Sequence, residues 1–350
     1  MRKIIFFPIA LLFIVACGIS APPTQVNELP TAAANVEAAG TSTQVHSEAL
    51  AEVVTEDYAI FSINVQDFSY PGESAAVLEK IIALHELYDM PVDVYLTDGM
   101  AKIYAEQYPA LLERLKTSPV VAVSYHIRAP RPYANNYDWL GLEQMTPEQQ
   151  YQTVMQYETH AVDPVTGQTT DEAGGYQYVA SLIGYPPFAG SAITSSGAIG
   201  DAVIKVYTEL GAQMTVVHGR ALNLGDVKKG LYIRPEHYDY MLFQHVGEDA
   251  AQSYEAALAQ AHAAEGAIAP YFVGVKMHDN DFFAAKSAWL TVYLDGGKRA
   301  PWNPELKAAP LSQAEQDAMW AIYEQTVIYV ASQQGRITPV NLPMVLDMVQ

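Results

Sequence analysis

Ala59-Ile60-Phe61-Ser62-Ile63-Asn64-Val65-Gln66-Asp67-Phe68 decides the fold. A short apolar, β-branched run that stops in polar side chains predicts a strand buried on both faces, with an acid at its carboxyl end. The same design returns at Val92-Asp93-Val94-Tyr95-Leu96-Thr97. It returns again at Val120-Val121-Ala122-Val123-Ser124-Tyr125, followed by His126. Its last strong instance is Tyr271-Phe272-Val273-Gly274-Val275-Lys276-Met277, followed by His278-Asp279-Asn280-Asp281. Weaker runs at 183–188, 213–217 and 240–244 read as further strands. Helical stripes over 74–88, 100–116, 172–182, 201–210, 250–264 and 312–333 separate them. Strand–helix alternation without a repeated sequence predicts parallel strands joined by helical crossovers. No GxGxxG follows the first strand, which disfavours a dinucleotide-binding sheet. The expected class is α/β, a single (β/α) barrel of seven or eight strands spanning 51–350.

Upstream of this body, the chain reads as leader and tether. Arg2 and Lys3 precede an apolar run, Ile4 to Val15, that is too short to span a bilayer. Ile14-Val15-Ala16-Cys17-Gly18 then resembles a bacterial lipobox. Residues 1–16 are the expected signal peptide, Cys17 the lipidated residue, and 17–50 a linker. That linker is rich in Ala, Pro, Thr, Ser, Asn and Gln and shows no structural period. The expectation is an extracytoplasmic lipoprotein anchored to a membrane by acyl chains. Cys17 is the only cysteine, so chemistry in the body falls to His, carboxylates, hydroxyls and amides.

The chain carries 19 basic and 39 acidic side chains, a formal net charge of −20. Loss of Arg2 and Lys3 with the leader takes this to −22. Such a surface repels nucleic acid and anionic lipid and is compatible with neutral or cationic sugars and divalent cations. The 23 tyrosines suit a cleft for sugar rings.

In parallel α/β folds the chemistry gathers at the carboxyl ends of the strands. Three runs far apart in sequence end there in Asp67, His126 and His278. Imidazole with carboxylate suits zinc or another borderline divalent ion. Arg128 and Arg131 read narrowly as partners of surface acids rather than as an anion site.

The order of these features resembles the polysaccharide deacetylase superfamily, the NodB-like carbohydrate esterases, from about residue 59 to 283. The acidic end of the first strand, the Met90-Pro91-Val92-Asp93-Val94-Tyr95 entry to the second, His126 and Val275-Lys276-Met277-His278 carry the resemblance. It implies a metal-dependent hydrolase that removes acyl groups from a polysaccharide. Its divalent metal, zinc first, would lie on Asp67 and His126. His278 would be a third ligand or the acid that protonates the leaving group, with Asp279 and Asp281 as orienters or substitute bases. The family's second metal histidine falls on Pro130, and its general base falls on Asn64 or Gln66. Its third-motif arginine has no match in Gly184-Tyr185-Pro186-Pro187-Phe188. The alternatives are a catalytically silent glycan- or metal-binding lipoprotein of the same fold, or a tethered solute-binding protein.

Overall fold

The structure is a computed structural model that describes residues 57–134, 137–191, 197–217, 221–294 and 302–350. The expected leader, Cys17 and the linker lie outside the described residues. Among the described residues twelve strands follow in chain order. They are β1 Asp57–Val65, β2 Val92–Leu96, β3 Val121–His126, β4 His160–Val162, β5 Thr169–Ala173 and β6 Ala189–Ser191. Then come β7 Met214–Thr215, β8 Val227–Lys228, β9 Leu231–Ile233, β10 Tyr238–Met241, β11 Tyr271–His278 and β12 Ile337–Pro339. The helices are α1 Pro71–Leu87, α2 Asp98–Gln107, α3 Pro109–Thr117, α4 Pro147–Thr159 and α5 Gly175–Ile183, followed by α6 Gly197–Glu209, α7 Ala250–Ala263, α8 Gln313–Ser332 and α9 Leu342–Asp347.

The main sheet runs β10-β11-β1-β2-β3-β6-β7-β9-β8, with β12 alongside the start of β1. Every pairing in that row is parallel except β8 with β9. Five strand spacings separate β1 from β9, roughly 24 Å if the sheet were flat. Yet Arg234, one residue past β9, reaches Ser62 Oγ on β1 at 3.4 Å. The sheet therefore curls on itself into a half-barrel, and Arg234 crosses its interior. Among the described residues no ladder joins β9 to β10, so the curl is left open there.

Alternation along the strands sorts the core into two layers. Ile63, Val65, Val94, Val123, Val275 and Met277 face the surrounding helices. Tyr58, Ile60, Tyr95, Met214, Tyr232 and Phe272 fill the lumen, and Leu342, Val345 and Leu346 of α9 pack into the same cluster. Higher in the lumen the residues turn polar: Ser62, Asp93 and Arg234 are all buried.

The expected α/β barrel class holds, and several boundaries move. The helix expected over 100–116 is two helices, because Pro109 lacks the N–H needed to continue α2 and instead opens α3. The helix expected over 172–182 begins as strand β5, paired antiparallel with β4, and turns helical only at Gly175. The strand expected at 183–188 lies at 189–191, beyond Pro186 and Pro187, which cannot donate to a ladder. Helix α4 falls in a stretch outside the runs that read as strands or helices. Its start signal is nevertheless local: Thr146 and Gln149 form a reciprocal capping box around Pro147.

Candidate functional site

Asp67, His126 and His278 all stand at the carboxyl edge of the sheet, just after β1 and at the last positions of β3 and β11. Their surroundings differ. Asp67 is fully buried, and its carboxylate accepts backbone N–H groups from Ser69 at 3.1 Å, Tyr70 at 3.2 Å and Ala288 at 2.9 Å. Burial, reinforced by the nearby Asp279 carboxylate, pushes its pKa up to about 7 against the pull of those amides. His126 has Nδ1 3.1 Å from Ser191 Oγ on β6. His278 lies 3.2 Å from Asp281 through Nδ1, and the His278 backbone N–H donates to the same carboxylate at 2.8 Å. This pair is partly exposed.

Asp279 is a structural organiser. Its fully buried carboxylate accepts the backbone N–H of Gln66 at 3.2 Å, Asp67 at 3.1 Å and Asn280 at 3.0 Å, and the Ser74 hydroxyl at 2.6 Å. Ser74 spends its only proton on Asp279, so Tyr104 donates to Ser74 at 2.7 Å. The turn after β11 thereby builds the turn after β1 and anchors α1. Burial raises the Asp279 carboxyl above its ordinary value. Asp279 reaches no open space from which to act as a base.

The residues present do not fit a divalent metal. Among the described residues, no three His, Cys, Asp or Glu side chains come together to hold one. The Asp67 oxygens are committed to amides, and position 130 is proline, which offers no donor atom.

A cleft of about 500 Å³ opens at the carboxyl ends of β1, β2 and β3. On its floor lies Gln66, which with Asn64 is one of the two positions expected for a base. Arg128 Nε donates to Gln66 Oε1, and Gln66 Nε2 donates to Asn280 Oδ1 at 3.2 Å. The Arg128 guanidinium lies 4.5 Å from the Trp289 ring. Phe68 and Tyr293 continue the aromatic wall, backed by Tyr137 and Trp302. The β4–β5 hairpin also lines the cleft, and Pro164 in its turn accepts the Tyr293 hydroxyl at 3.0 Å.

Arg128 and Arg131 are buried rather than members of surface pairs. Arg131 forks onto Asp98 at 3.0 and 2.7 Å and approaches the fully buried Glu158 at 3.7 Å. Glu158 in turn accepts the hydroxyls of Tyr133 at 2.6 Å and Tyr207 at 3.0 Å, and the backbone N–H of Tyr176 at 2.9 Å. The sequence carries no local signal for Trp289 or Asp98 as parts of this cleft. Tertiary folding alone brings them beside residue 66.

No family model matches the chain, and no curated protein matches it by sequence. Solved structures resemble it in shape at low identity. A 4-alpha-glucanotransferase from Thermococcus litoralis shares 12% identity at a TM-score of 0.49, over 83% of this chain and 40% of that one. This chain thus spans under half of that protein's length. A Mycobacterium smegmatis protein assigned as a polysaccharide deacetylase shares 10% identity at a TM-score of 0.48, over 85% of this chain and 91% of that one. A CE4 family pseudoenzyme from Bacillus anthracis shares 12% identity at a TM-score of 0.38, over 84% of this chain and 66% of that one.

Proposed function

We propose that this protein binds a glycan in the cleft at the carboxyl edge of β1–β3, on a deacetylase-like half-barrel whose hydrolytic positions have been given over to structure. One observation carries the reading: both positions expected for a general base, Asn64 and Gln66, are amides, and that of Gln66 is held by Arg128 and Asn280 at the cleft floor. An amide does not take up a proton at neutral pH. The Asp67 carboxylate beside it is enclosed by three backbone amides. What the cleft does offer is Trp289, Phe68 and Tyr293, whose faces suit the C–H faces of sugar rings.

A metal-dependent deacylase, with zinc on Asp67, His126 and His278, has no ligand set to stand on among the described residues. The hydrolytic reading keeps one supporting observation, the partly exposed His278–Asp281 pair. Calorimetric titration with chito-oligomers, together with acetate release under added Zn²⁺ or Co²⁺, separates the two. Binding without release is the expected result, weakened on the order of 30-fold or more by Trp289→Ala if that ring is the platform. Metal-dependent release that disappears in both Asp67→Ala and His278→Ala overturns it in favour of the hydrolase. We further propose that the body is tethered outside the cytoplasm through lipidated Cys17, on the leader pattern alone.

A further inference from the structure

The β4–β5 hairpin is joined to the aromatic wall of the cleft at its turn. Asp163 holds that turn: its carboxylate accepts the Val165 and Thr166 backbone N–H groups at 3.0 and 2.6 Å, and its carbonyl accepts that of Gly167 at 2.8 Å. Gly167 is buried, and its carbonyl accepts the Tyr157 hydroxyl at 2.8 Å. Its φ is +71°, and a Cβ there would stand 2.3 Å from the benzo ring of Trp302 and 2.8 Å from that of Trp139. The two indoles meet edge to face at 5.3 Å. Trp302 in turn packs on Tyr293 at 5.6 Å, and Tyr293 on Phe68 at 6.3 Å. Phe68, Pro164 and Tyr293 line the cleft, whereas Gly167, Trp139 and Trp302 stand behind them.

We propose that Gly167 is a positioning residue of the glycan cleft. By letting Trp302 and Trp139 close on the hairpin turn, it sets where Tyr293 and Phe68 stand against the ligand. This rests on the glycan-binding reading above and deepens it. The cause is steric. A residue without a side chain leaves room for both indoles, and glycine takes the left-handed backbone at no steric cost. Interiors are close-packed, so an added Cβ is accommodated by moving Trp302, and that movement passes to the rings it touches. The wall of the cleft is set from behind, by a residue that no ligand in the cleft touches.

The test titrates the full chain with chitotetraose by calorimetry, as the native protein and as Gly167→Ala. The variant is expected to bind about 10-fold or more weakly, since a site held about 1 Å out of place loses much of its function. Partial unfolding lowers the number of sites and leaves Kd alone, so the same titration separates it from a displaced wall. Trp302→Phe removes the benzo-ring atoms that the new Cβ would strike. In that background Gly167→Ala is expected to cost less affinity than in the native chain. A native Kd in folded Gly167→Ala overturns the proposal while leaving glycan binding intact. An equal loss in both backgrounds also overturns it, because the clash with Trp302 is then not the cause. If Gly167→Ala does not fold, Trp302→Leu reads the same coupling with Gly167 in place. There a fall of about 10-fold is expected, and a native Kd overturns the proposal. Failure of the native protein to bind chitotetraose overturns the glycan reading itself, and this assignment with it.

Discussion

The Asp279 carboxylate accepts the backbone N–H of Asp67 at 3.1 Å, so an acid in the turn after β11 shapes the turn that buries the other. Two residues that read as parts of one site are joined by a direct hydrogen bond. Sequence separation of more than two hundred residues is bridged because β1 and β11 are adjacent and in register, Asn64 against His278.

Asp279→Ala is therefore expected to destabilise the fold broadly. It would strand the amides of Gln66 and Asp67 and the Ser74 hydroxyl in a dry interior. Each unsatisfied group costs about 1–3 kcal/mol, so a loss of about 3–5 kcal/mol is expected in urea denaturation. A loss below about 1 kcal/mol would mean that water replaces the carboxylate freely.

The Asp98–Arg131 fork lines the cleft. Arg131→Met leaves Asp98 and the fully buried Glu158 facing each other without a cation, and a loss of about 3–5 kcal/mol is expected. Combining it with Asp98→Asn should cost less than the two single changes added together. Strict additivity in that double-mutant cycle would deny the pairing.

Gly175 reports on the hairpin that walls the cleft. Its φ is +64°, and a Cβ there would stand 2.4 Å from the Glu158 backbone. Gly175→Ala should cost about 2 kcal/mol or more, combining left-handed strain with a clash that no rotamer relieves. Thermal denaturation would show it, and an unchanged midpoint would contradict the geometry.

His85 gives the fold an acid limit. It is fully buried, with Nδ1 2.8 Å from the Met90 carbonyl oxygen and Nε2 2.7 Å from the Tyr323 hydroxyl. Burial pushes its pKa down to about 4 from the ordinary 6.5. The unfolded chain thus takes up the proton first, so this contribution is complete above about pH 6.5 and is lost as pH falls toward 4. The slope is at most about 1.4 kcal/mol per pH unit. Denaturation midpoints between pH 7 and 4 should fall less steeply in His85→Phe than in the native chain. Parallel profiles would assign the acid sensitivity elsewhere.

Cys17→Ser should release the protein from the membrane fraction if the leader is read correctly. Retention in that fraction would remove the lipid anchor from the account.

The strands most legible in the sequence are those buried on both faces. For β1, β2, β3 and β11, a short, mostly apolar and β-branched run leaves one interpretation. The two-residue β7 and β8 and the three-residue β9 and β12 are too short to show any period. They exist because neighbouring strands offer them backbone partners. The placement of Asp67, His126 and His278 at the carboxyl edge was also readable, since each follows an apolar run. The donors that surround each of them were not, because those come from distant segments.

The sequence by itself determined the α/β class, the order of the main strands and helices, and which edge of the sheet collects polar side chains. Periodicity and composition act locally, so a local reading recovers them. Only the tertiary structure decided that Asp67 would be enclosed by amides, that Gln66 would meet Arg128, and that Trp289 would lie over that guanidinium. It also decided that Arg234 would cross the lumen to Ser62. Those relationships join segments up to about two hundred residues apart. A carboxylate's role depends on which donors surround it, and these are set by the curl of the sheet and the turns at its edge.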